Sequence, residues 1–161
     1  MKALSQFAAV LLGLLAGGSL LIATGLVPYW RSLDPAEFAQ VFSANLLPVG
    51  GTMAVLTVLG TGSVMTVAAI SIWKKQPTRI WLAAAAAATL LMVATLPAYF
   101  GTANPLLAGG TLGADASTAE LATWQQMHWF RTVMGILGFY CAVRAGYVSE
   151  KPTGFITPSG L

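Results

Sequence analysis

Charge is what this chain has least of. Only 8% of its 161 residues are charged, five acidic and eight basic, too few to cover a water-soluble surface at this length. A single cysteine, Cys141, excludes an internal disulfide and any paired-thiol metal or redox site. A single histidine, His128, and so few carboxylates cannot supply the two or three ligands of a catalytic metal. The net charge of +3 is small, and the basic residues are scattered rather than set on one face among aromatics. Nucleic acid is therefore not an expected partner. What is abundant is apolar surface: 57% of residues are hydrophobic and the mean hydropathy is +0.75, which places the chain in a bilayer, with lipid as its first partner.

Four apolar stretches, residues 4–27, 47–73, 79–100 and 126–147, are each long enough to span roughly 30 Å of hydrocarbon at about 1.5 Å per residue. The expected fold is all-α, an integral membrane four-helix bundle in one domain over residues 1–150. A tail over 151–161, rich in Pro, Gly and hydroxyl residues, has too little apolar content to order alone. The first stretch is longer than a secretory signal's apolar region and reads as a span. The densest basic cluster, Lys74, Lys75 and Arg79, joins the second and third stretches, and Lys2, Arg144 and Lys151 lie on the same side of a four-pass topology. That side is expected to be cytoplasmic, with both termini inside, in a membrane of the bacterial cytoplasmic type. The two longer connections then face outward and hold Asp34, Glu37, Asp115 and Glu120. Arg31 and Arg131 break the pattern and need another explanation.

The first outer connection contains a helix signal. Asp34 is a good N-cap and Pro35 a good first residue, and Phe38, Val41 and Phe42 then share one face. A short amphipathic helix over 35–45, lying over the bundle or in the interface, is expected. Gly13 and Gly17 form a small-residue stripe on the first span, and the second span is rich in Gly, Ser and Thr, a pattern that favours close helix packing. Pro97 is expected to break or kink the third helix, with Tyr99, Asn104 and Pro105 where the chain turns over the outer face.

Chemistry concentrates at the mouth of the fourth span. Trp124, His128 and Arg131 stand at i, i+4 and i+7, so a helix puts all three on one face. Ionisable groups at membrane depth are costly and by default serve an interior site. Gly135, Gly138 and Ala142 continue nearly the same face below them, so the helix is polar at its mouth and smooth beneath. A polar pocket near the outer leaflet, closed below by tight packing, is the expectation. Tyr29 and Trp30, at the end of the first span, and Tyr99 and Asn104 lie at the same level. As a class, the aromatics there also suit an interfacial belt.

These residues carry a resemblance. The Pro28-Tyr29-Trp30 end of a glycine-rich first span, the Asp34-Pro35 helix, Pro97 followed by Asn104-Pro105, and Trp124-xxx-His128-xx-Arg131-Thr132 together resemble the DUF1772 or anthrone oxygenase-like family of small four-helix membrane proteins. The chain departs from the commonest form of the motif at Met127. The resemblance implies oxygenation of a lipophilic polycyclic phenol or quinol-type substrate by dioxygen, without metal or flavin. His128 would be the general base, since neutral imidazole is available near pH 7. Arg131 would stabilise the oxyanion, Asn104 would orient a substrate oxygen, and Trp124, Tyr29 and Tyr99 would wall the ring. Two other classes stay open. One is a non-catalytic accessory subunit of a larger membrane complex or homo-oligomer. The other is a bundle that binds a lipophile or a haem with His128 as its one axial ligand.

Overall fold

The computed structural model describes residues 2–150; the expected tail, 151–161, lies outside them. Among the described residues the chain forms no strand and runs in four continuous helical stretches. These are α1 (Lys2–Ser32), α2 (Pro35–Trp73) and α3 (Arg79–Ala108), followed by α4 (Ala114–Glu150). The first three are long and apolar enough to cross a membrane. The fourth, which carries His128, Arg131 and Arg144, is not among them. At about 1.5 Å per residue its 37 residues extend roughly 55 Å.

Helix fills most of the two outer connections expected over 28–46 and 101–125. Only 33–34 and 109–113 remain non-helical between the runs on that side. Asp34 caps α2 as its position suggests: its carboxylate accepts from the backbone N–H of Ala36 at 3.0 Å and of Glu37 at 2.9 Å. At the other break Gly110 has φ +61°, a conformation that glycine adopts without a Cβ penalty. On the opposite side the 74–78 turn puts Lys75 at φ +49°. A buried hydrogen bond of 2.8 Å between the Ser71 and Thr78 hydroxyls closes that turn.

Each of α1, α2 and α3 contains one π-helical turn, Ile22–Leu26, Leu46–Gly50 and Leu96–Phe100. Pro48 and Pro97 lie inside theirs, and Pro28 follows the first by two residues. Proline cannot donate to the carbonyl four residues back, and its ring crowds that carbonyl. A widened turn relieves the crowding without ending the helix. Pro97 accordingly does not break α3, which continues to Ala108. The expected helix over 35–45 is present, but it runs through the turn at Leu46–Gly50 into the rest of α2.

The helices pack as a closed square in chain order: α1 against α2 and α4, α3 against α2 and α4. Two cores result. One is built from small and medium side chains, Ala8, Leu12, Val64, Val67, Ala68, Leu82, Ala85, Ala86, Ala142 and Ala145. The other contains Trp30, Phe38, Phe42, Phe100 and Trp124 among aliphatic residues. The outer part of α2 lies over this aromatic core, with Phe38 and Phe42 buried.

Candidate functional site

The aromatic core surrounds a cavity of about 140 Å³ to which all four helices contribute. All three π turns reach it, through Ile22, through Leu46, Val49 and Gly50, and through Leu96 and Phe100. Such turns often accompany functional sites, because the inserted residue re-aims side chains that a regular helix would point elsewhere. The fourth helix is unbroken and supplies Trp124, His128 and Arg131.

Helical spacing brings the three together as the sequence suggests. The Trp124 and His128 rings stack with centroids 4.8 Å apart and planes 9° from parallel. Phe100 meets both edge-on, at 5.4 Å from Trp124 and 6.4 Å from His128. Trp30 and Phe42 stand edge-on to the other side of Trp124, at 5.6 and 6.0 Å. The guanidinium carbon of Arg131 lies 5.0 Å from the Phe100 ring centre, a contact worth up to about 2 kcal/mol when desolvated. Asn104 is held by Trp124, whose indole N–H donates to its Oδ1 at 2.8 Å. The amide N–H₂ of Asn104 is then left for another acceptor.

The hydrogen-bond partners of His128 set its tautomer. Its Nε2 lies 3.0 Å from the backbone carbonyl of Ser19, and a carbonyl oxygen only accepts, so Nε2 carries the proton. In the neutral ring Nδ1 then bears a lone pair. That Nδ1 is buried and has no partner among the described residues; the same holds for Nε of Arg131 and the indole N–H of Trp30. All three side chains are more than nine-tenths buried, at 3%, 8% and 4% exposure. No carboxylate pairs with Arg131 among the described residues: Asp34 caps α2, and Glu120 accepts from Tyr99. Burying an arginine without a carboxylate partner costs several kcal/mol.

Two expected wall residues stand elsewhere. Tyr29 is half-exposed, at 49%, and does not line the cavity; its neighbour Trp30 turns inward instead. Tyr99 also lies outside the lining: its hydroxyl donates to the Glu120 carboxylate at 2.6 Å and ties α3 to α4, while its neighbour Phe100 enters the cavity. In both cases the helical sequence places two adjacent aromatics at the right level, but adjacent residues point about 100° apart and only one faces inward. The carbonyl of Ser19 had no sequence signal, because a main-chain acceptor is the same at every residue. Arg31, the other outer cation, donates to Gln125 at 2.8 Å and so also braces α4.

Among the described residues no three His, Cys, Asp or Glu side chains lie together as a metal would need. A haem macrocycle exceeds the volume of about 140 Å³. No family model, curated protein or solved structure matches the chain.

Proposed function

We propose that the protein is a four-span integral membrane bundle, with both termini on the cytoplasmic side. Its outer cavity binds a lipophilic phenol or quinol-type molecule and oxygenates it without a cofactor, in the manner of the anthrone oxygenase-like family it resembles. The observation that carries this reading is the convergence of Nδ1 of His128 and Nε of Arg131, both buried and without a partner among the described residues, at a cavity walled by rings. A phenol complements these groups: its hydroxyl donates to Nδ1 of His128, and its oxygen accepts from Arg131 or from the indole N–H of Trp30. The volume of about 140 Å³ matches one aromatic ring, a cavity near that size being known to hold benzene. One ring of a larger substrate is seated at a time.

The chemistry needs a base and a cation. His128 takes the phenolic O–H proton at Nδ1, and Arg131 stabilises the phenolate. The ring carbon para to that oxygen is then electron-rich and gives an electron to dioxygen. Recombination forms a carbon–oxygen bond and a peroxide on that carbon. The peroxide takes up the proton held by His128. Loss of the remaining hydrogen from the carbon, with cleavage of the O–O bond, releases water and leaves a carbonyl. Phenol plus dioxygen thus becomes quinone plus water.

Oxygen uptake by the detergent-purified protein with an anthrone or a 3-alkylphenol, each with hydrogen on the carbon para to the phenolic oxygen, tests the reading, comparing the parent chain with His128→Ala. Uptake that depends on His128 is the expected result. Uptake unchanged by the substitution removes His128 as the base. A protein that retains fixed partner chains and consumes no oxygen moves the reading to an accessory subunit.

A further inference from the structure

The cavity has a mouth, and its residues say what kind of molecule passes through it. Among the lining residues Gly50 and Ala54 are exposed, four apart on the same face of α2. A Cβ built on Gly50 meets nothing within 4 Å, so the lack of a side chain there is not required by packing. Its φ of −63° is an ordinary helical value, so the backbone does not require glycine either. A glycine that neither packing nor backbone calls for, at the edge of a cavity, leaves a gap in the helix wall. Half-buried Leu46, Val49 and Met53 flank that gap with apolar surface. The polar groups without partners, on His128, Arg131 and Trp30, are buried inside it.

We infer that the site takes a single-ring phenol carrying an unbranched apolar tail, with the ring inside against Trp124 and Phe100 and the tail leaving past Gly50 and Ala54 into the bilayer. This rests on the phenol-site reading above and adds the ligand's shape and its route. The cavity accommodates about one ring and no more, so any longer apolar part must lie outside. Leu46, Val49 and Met53 offer no strong hydrogen-bond donor or acceptor to what passes between them, which suits an apolar chain.

The test is equilibrium binding to the full chain in nanodiscs, read by tryptophan fluorescence, with three probes: phenol, 3-nonylphenol, whose para carbon bears hydrogen, and decanoate. Affinities are referred to the membrane-bound concentration of each probe. Gly50→Trp is expected to lower the ratio of nonylphenol to phenol affinity at least tenfold. Gly62→Leu is the control; it lies on the same helix, exposed and with open space at its Cβ, and should leave the ratio unchanged. Should the tryptophan variant not fold, Ala54→Leu narrows the same gap and carries the same expectation at smaller size. An unchanged ratio in both mouth variants, with phenol still bound, overturns the route and leaves the phenol site standing. Decanoate binding more tightly than either phenol overturns the ligand class. Failure of the parent chain to bind any of the three removes the proposed function with it.

Discussion

Around Ala8, Ala68, Ala85 and Ala142 the buried side chains are no larger than leucine, with half-buried Trp81 packed against them, whereas around Trp30, Phe42, Phe100 and Trp124 the helices are held apart by buried rings. On the first side Gly138 lies so close to α3 that an added Cβ would come within 3.0 Å of the Thr89 hydroxyl and 3.4 Å of the Ala85 carbonyl. Small residues let backbones approach until nothing fits between them. Rings packed edge to face cannot tile a volume so closely, and the gap they leave is the cavity. The two regions also differ in how their polar groups are treated. In the alanine-rich half Ser71 and Thr78 satisfy each other, and a hydroxyl, that of Thr61 beside Gly60, is left without a partner among the described residues. In the aromatic half the groups left so include the ionisable ones, Nδ1 of His128 and Nε of Arg131, with the Trp30 indole N–H.

Substitutions that separate the two regions should show the difference. The largest effect is expected on chemistry: His128→Ala should lower substrate-dependent oxygen uptake about a hundred- to ten-thousand-fold, the range for loss of a general base. A matched pair of arginines gives the sharpest contrast, because the signs differ. Arg131 is buried and without a carboxylate, so Arg131→Met should abolish phenol binding. It should also raise stability by about 1–4 kcal/mol, as replacement of buried charge by apolar groups can. At a scale of about 2–4 °C per kcal/mol for a chain of this size, the rise is visible in thermal unfolding. Arg144 is exposed, over the Trp81 ring at 5.2 Å, so Arg144→Met should lower stability by about 0.5–1 kcal/mol. A fall in unfolding temperature for both variants would erase the contrast.

Gly138→Leu should cost about 1–3 kcal/mol by overpacking, measured by thermal or denaturant unfolding. Gly17→Leu, where a Cβ meets nothing within 4 Å, should be neutral within about 0.5 kcal/mol. Equal costs at the two glycines would show that the alanine-rich side is not tightly packed. The smallest effect is expected at the turn that closes that side. Lys75 holds φ +49°, which costs an L-residue about 1 kcal/mol, and Lys75→Gly should recover part of it in the same unfolding measurement.

Much of this was legible from residue spacing. Trp124, His128 and Arg131 had to share a face once the segment was helical, and Gly135 and Gly138 had to follow beneath them. The Asp34-Pro35 start of α2 was readable because a cap is a local interaction between neighbours. The continuation of α1 and α3 beyond their prolines was not, since Pro97 can end a helix, kink it or widen it by one residue. Which of these happens depends on what packs alongside. The choice of Trp30 over Tyr29, and of Phe100 over Tyr99, had the same origin. A widened turn shifts the angular position of every later residue on the helix, and composition does not record that shift.

The sequence by itself determined the helices, their apolar character and the polar stripe on the fourth, because these follow from the periodicity of one chain segment and the chemistry of its side chains. Only the tertiary structure decided that three π turns converge on one cavity, that Ser19's carbonyl takes the Nε2 proton of His128, and that Arg131 has no carboxylate beside it among the described residues. Each of those depends on two or more helices meeting, and the energy that selects such a meeting is spread over contacts far apart in the chain.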